Sequence, residues 1–151
     1  MITFKTYFTE NDGIRIDYVD NEGYNDEEGG PDPYEADAYA YNLAKRVDLG
    51  ITRDRELMGV AMDSNEMVGA IWSAFDGESH TFDIAVEPRH QSKGIGSKLI
   101  DYGINNFDGM DYPEGVSLEF DVTSAITKGA LERRGFHVDN VIGKNRWIMK
   151  R

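Results

Sequence analysis

The spacing in this chain that could do chemistry lies in residues 80–100. There a glycine-bearing turn, Gln91-Ser92-Lys93-Gly94-Ile95-Gly96, stands between an alternating apolar run and a run of helical period. Phe82, Ile84 and Val86 alternate, which predicts a strand with one apolar face. Pro88 has no N–H for a ladder and is expected to end that strand. From Ile95 the period changes, and Ile95, Leu99, Ile100, Ile104 and Phe107 fall on one side of a helix. Strand, glycine turn and helix in that order make an anion site. The first N–H groups of a helix have no intrahelical partner, and the helix dipole adds partial positive charge. Gly94 and Gly96 omit the Cβ atoms that would hold a phosphate off the backbone, and Lys93 and Lys98 add full charge. The turn is therefore expected to bind a phosphate-bearing ligand through backbone amides. A tight connection with no ligand is the plainer alternative. A P-loop would need a longer glycine spacing and a Gly-Lys-Ser/Thr ending, but Ser97 and then Lys98 follow Gly96. A dinucleotide fingerprint would need a third glycine where Leu99 stands.

Val86, Pro88, Gln91, Gly94 and Gly96 together read Val-x-Pro-x-x-Gln-x-x-Gly-x-Gly. This resembles the acyl-CoA loop of the GCN5-related N-acetyltransferase (GNAT) superfamily, whose signature is Gln or Arg-x-x-Gly-x-Gly or Ala. The resemblance implies that acetyl-CoA is a co-substrate, that the central strand and its neighbour splay apart, and that an amine is acetylated. Carried onto this chain, it puts Ile84, Ala85 and Val86 along the pantetheine arm. It puts Gln91, Ser92, Lys93, Gly94, Ile95, Gly96 and Ser97 around the pyrophosphate, through main-chain atoms. The backbone N–H of Val86 is the expected donor to the oxyanion. With 0 cysteines, direct transfer in a ternary complex is favoured over an acyl-enzyme.

The proton transfers are less clearly marked. His80 shares parity with Phe82, Ile84 and Val86 and stands where histone acetyltransferases of the superfamily carry a catalytic glutamate. An imidazole of ordinary pKa, about 6.5, suits a base at neutral pH, though a surface histidine after a turn reads the same way. Glu119, with parity opposite to the apolar row of its own strand, is the alternative base; Asp83 and Asp121 are weaker candidates. The family's usual C-terminal run is Asn-x-x-Ala-x-x-x-Tyr-Glu-x-x-Gly-Phe. Glu132, Gly135 and Phe136 match it. Ser124, Thr127 and Leu131 stand where Asn, Ala and the tyrosine general acid are common. Leu131 cannot donate a proton, so Ser124 is the substitute candidate, although a serine before a helix is often a cap. Lys128, Arg133 and Arg134 are read either as CoA-phosphate contacts or as exposed helix charges. The departure at Leu131 keeps open a second reading, an acyl-CoA-binding protein with weak or lost catalysis.

A chain of 151 residues with 40% hydrophobic composition suits one domain with a real core. No apolar stretch is long enough to span a bilayer, no metal site is indicated, and a cytoplasmic home is the default. The net charge of −12 argues against nucleic acid and anionic membranes as partners. Residues 1–75 carry 16 acids and 6 bases, against 12 and 10 in residues 76–151. The acidic half suggests a cationic amine acceptor, small molecule or protein; ordinary solubility explains it equally well. A homodimer stays open, and so does a third reading, an acidic protein that offers residues 10–37 to a basic partner.

The elements that must position the loop follow from periodicity. Residues 2–8 and 14–18 read as strands, residues 20–33 as an acidic, mobile loop, and 32–48 as a helix capped by Asp32. Residues 56–62 and 66–75 form a hairpin leading into the central strand. Residues 116–122 form a strand, 126–134 a short helix closed by Gly135, and 136–138 and 146–149 the final strands. Tyr34, Tyr39 and Tyr41 are expected at the core or its rim. The expected fold is α/β: a mixed, largely antiparallel central sheet flanked by helices, similar to the GNAT acyl-CoA N-acyltransferase fold. Within one domain, 1–53 is the divergent part and 54–151 the acyl-CoA-binding core.

Overall fold

The structure is a computed structural model. It describes residues 6–8, 14–19, 33–47, 55–64, 66–110, 112 and 115–151, with the backbone alone at 6–8, 33–37, 46 and 91–93. In chain order the elements are β1 (Thr6–Phe8), β2 (Ile14–Tyr18), α1 (Pro33–Arg46), β3 (Glu56–Asp63), β4 (Glu66–Phe75) and β5 (Ser79–Val86). A 3-10 turn, Pro88–Lys93, then leads into α2 (Ile95–Asp108), β6 (Ser117–Val122), α3 (Ala125–Glu132), β7 (His137–Gly143) and β8 (Arg146–Lys150). All eight described strands join one sheet, ordered β1-β2-β3-β4-β5-β6-β8-β7. Every pairing is antiparallel except β5 with β6. The mixed, largely antiparallel α/β fold expected from the sequence is therefore what the chain adopts. Among the described residues no helix is long and apolar enough to cross a membrane.

The alternation of β5 divides its side chains between two cores. Phe82 packs with Ile71, Phe120 and Met149 against Ile95, Leu99 and Ile100 of α2, and Ala130 and Leu131 of α3 join the same cluster. Ala85 faces the other way and joins Ala70, Trp72, Leu57 and Val60 beneath Ala40, Leu43 and Ala44 of α1. Tyr39 and Tyr41 lie on the solvent side of α1 rather than in the core, because the small residues Ala40 and Ala44 take the buried stripe. The acidic segment 20–32, with Asp32, lies outside the described residues.

Close approach of α2 to the sheet depends on glycine. A Cβ built on Gly69 of β4 would stand 3.0 Å from Leu99 Cδ1 and 3.1 Å from Ile95 Cγ2. The loop before α2 is more ordered than a simple turn. Pro88 not only closes the strand but opens a 3-10 helix, because its fixed φ suits a first helical position.

The parallel ladder is short. β5 and β6 pair from Ser79↔Ser117 to Asp83↔Asp121 and no further. Beyond that rung β6 turns into α3, whose buried face is drawn into the α2 core. Residues 84–86 and 122–124 consequently diverge instead of zipping together.

Candidate active site

Glu87, buried at the end of β5, anchors the loop. Its carboxylate accepts from Arg89 N at 3.0 Å and stands 2.9 Å from His90 Nδ1. The hydrogen bond with His90, then those with Arg89, holds the Glu87 carboxyl below its usual range. The 3-10 turn ends at Gly94, whose φ of 78° lies in the left-handed region that glycine adopts without strain. α2 begins at once, and no side chain caps its N-terminus. Its first N–H groups are thus left for a ligand or water. The Lys98 ammonium stands beside this turn, 3.8 Å from where a Gly94 Cβ would be.

A groove of about 320 Å³ runs from this helix end into the parting of the strands, past Gly96, Val86, Ala85, Thr123 and Ser124. Ser124 caps α3: its Oγ accepts from Thr127 N at 3.4 Å, which leaves the hydroxyl proton for an acceptor in the groove. Ile84, Ala85 and Val86, expected along a pantetheine arm, line this groove, and of the loop 91–97 Gly96 does so. Phosphate binding at the helix end, and strand-like hydrogen bonding along the parted edges, are what such a cleft can do chemically.

His80 and Glu119 are not brought to this cleft. His80 lies on the α2 face, stacked on Phe82 at 4.5 Å, with Phe75, Phe107 and Tyr112 around it and its Nδ1 hydrogen-bonded to the Tyr112 hydroxyl. Burial pushes its pKa below that of a free imidazole and raises that of Tyr112. It precedes Ile84 by four residues, or roughly 13 Å along a strand. Glu119 lies on the opposite face, near Thr81 Oγ1 at 3.5 Å and Ser117 Oγ at 3.4 Å. Leu131 is fully buried in the core, so a hydrocarbon fills the family's tyrosine position. Lys128 pairs with Glu132 and lies over the Trp147 ring, and Arg134 pairs with Asp101.

Sequence reasoning undervalued two buried carboxylates. Asp83 and Asp121 share the last rung before the parting. Arg55 Nε lies 2.9 Å from Asp83 Oδ2. Arg146 grips Asp121 with both sides of its fork, at 3.0 and 2.6 Å. The signal was their parity, opposite to the apolar row; the arginines, one just before β3 and one on β8, needed the tertiary fold.

The acetyltransferase (GNAT) family model matches residues 18–136. Solved structures of the same fold include Ard1 from Thermoplasma volcanium, at 14% identity, 92% of this chain and 97% of that one, with a TM-score of 0.63. A GNAT family acetyltransferase from Elizabethkingia anophelis, solved with acetyl-CoA bound, shares 21% identity over 93% and 97% of the two chains, with a TM-score of 0.56. No curated protein matches the sequence closely enough to add an activity of its own. A family match over most of the length, on a sheet that parts beside an uncapped helix, makes this chain a member of the acetyltransferase (GNAT) family.

Proposed function

We propose that the chain is an acetyl-CoA-dependent N-acetyltransferase that passes an acetyl group directly to a primary amine. The observation that carries this reading is the parting of β5 from β6 after Asp83 and Asp121, beside the uncapped start of α2. The cleft suits the cofactor. Amides at the helix end and the Lys98 ammonium fit a diphosphate, and the open strand edges fit an amide-bearing arm. Acetyl-CoA supplies an acyl group already activated as a thioester.

The chain's own groups have distinct tasks in this reading. Main-chain atoms of residues 84–86 and 91–97 bind and orient. An N–H on the open edge of β5 stabilises the oxyanion. Ser124, facing the cleft with its hydroxyl proton uncommitted, protonates the departing thiolate in place of the absent tyrosine. Neither His80 nor Glu119 lines the cleft, so either removes the amine's proton only through water. With 0 cysteines, no acyl-enzyme on sulfur forms.

Thiol release from acetyl-CoA over a panel of primary amines, with CoA binding followed by calorimetry, tests the reading. Turnover with at least one amine is expected. Tight CoA binding with no turnover would instead support the second reading, a CoA-binding protein without catalysis, which Leu131 motivates.

A further inference from the structure

The α1 side of the sheet is divided. α1 packs over β3, β4 and β5, and the apolar cluster beneath it includes no residue of β6 or β8. The part of this face beyond α1 carries Glu119, Asp121, Arg146 and Lys150 around Ile148, and the rung at which the strands part lies on it. Two carboxylates stand there side by side. Like charges directly opposite on neighbouring strands repel, and their burial would be costly without countercharges. Arg55 supplies one and Arg146 the other. The two arginines are not equivalent. Arg55 is largely buried, whereas the Arg146 side chain is 47% exposed against 4% for Asp121. Arg146 spends Nε and one Nη on Asp121, and its other Nη has no partner among the described residues.

A buried anion thus holds two donors of a guanidinium whose side chain is 47% exposed. The hydrogen bond to Asp121 and the charges of Asp121 and Asp83 raise the Arg146 pKa, so it stays a cation. The nearby Glu119 and Lys150 are cross-strand neighbours on β6 and β8. Asp121 lines a small cavity of about 20 Å³ that shares Ile84, Thr123, Ser124 and Thr127 with the groove, so the carboxylate that holds the guanidinium adjoins the reaction space.

Building on the acetyl-transfer reading, we propose that Arg146 selects the acceptor by receiving a carboxylate carried on the same molecule as the amine, and that Asp121 is its positioning residue. A planar fork is matched to a carboxylate and, as a cation, repels a simple cation. The acceptor is then a zwitterion, an amino acid or a peptide, and not the cationic amine that the acidic composition suggests. A zwitterion has no net charge for a chain of −12 to repel.

The test compares acceptors that differ only in the carboxylate: L-lysine against cadaverine, and glycylglycine against its C-terminal amide. In the wild-type protein, kcat/KM for the carboxylate-bearing member should be higher by about tenfold or more. Arg146→Gln should erase that preference, chiefly through a higher KM for the carboxylate-bearing member. Arg146→Lys, which keeps the charge and loses the fork, should fall between, and Asp121→Asn should raise KM in the same direction. CoA affinity by calorimetry should be unchanged in all three, showing that fold and cofactor site survive. Equal use of both members of each pair, or a preference that survives Arg146→Gln, overturns the proposal and leaves the acetyl-transfer reading intact. If no acceptor turns over, that reading fails separately. Calorimetric binding of the same pairs to CoA-loaded protein then decides, and absence of carboxylate-dependent binding overturns the assignment.

Discussion

Gly96 separates what the fold needs from what the ligand needs. A Cβ there would meet nothing closer than Val86 Cγ2 at 3.8 Å, so alanine fits the folded chain. In the first turn of α2, Gly96→Ala should raise stability by about 0.5–1 kcal/mol in urea unfolding. The same methyl would project into the cleft, and CoA affinity by calorimetry should fall by roughly tenfold. His80 gives a prediction with a sign. Burial sets its folded pKa below the unfolded value, so the folded state binds this proton less readily. No penalty exists well above about pH 6.5; it grows as the pH falls below that and levels off beneath the folded pKa. Urea midpoints should therefore drop between about pH 7.5 and about pH 5.5, and His80→Phe should flatten part of that slope. The glycines of the loop were legible from the sequence because their spacing is local. Arg55 and Arg146 were not, since each meets its aspartate from a distant part of the chain.

At the scale of elements, α3 is held at its start by one side chain. Ser124→Ala removes the acceptor for Thr127 N and should cost about 1 kcal/mol of stability. If Ser124 also serves the thiolate, kcat should fall further than lost cap stability explains, and steady-state kinetics at a temperature where the variant is fully folded would separate the two. The contact of α2 with β3 leaves less room. A Cβ on Gly59 would lie 2.9 Å from Tyr102 Cε1, on a buried ring whose hydroxyl donates to Met58 O at 3.2 Å. Gly59→Ala should cost about 1–3 kcal/mol by urea unfolding, because a rigid ring cannot retreat cheaply. Alternation and glycine punctuation had marked these strands and helices. The 3-10 character of Pro88–Lys93 was missed because it depends on Glu87, a buried carboxylate that reads as a polar strand end in the sequence.

For the molecule as a whole, ligand linkage is the broadest check. CoA at about 100 times its Kd should stabilise the chain by about 2.7 kcal/mol, seen as a higher thermal midpoint. A chain of net charge −12 should also gain stability as added salt screens its self-repulsion. The order of elements and the mixed sheet were legible from periodicity alone, while the site's charge pattern was not, because composition reports totals and not faces. One parallel ladder, between β5 and β6, joins the three C-terminal strands to the rest of the sheet, and it runs only from Ser79↔Ser117 to Asp83↔Asp121. Past that point β5 and β6 make no further pairs, so the place of a paired strand is open beside a groove of about 320 Å³. A linear arm with amides along it would act as a surrogate for that strand, so loading should slow deuterium uptake along both walls and leave the outer hairpin, β7 with β8, exchanging as before.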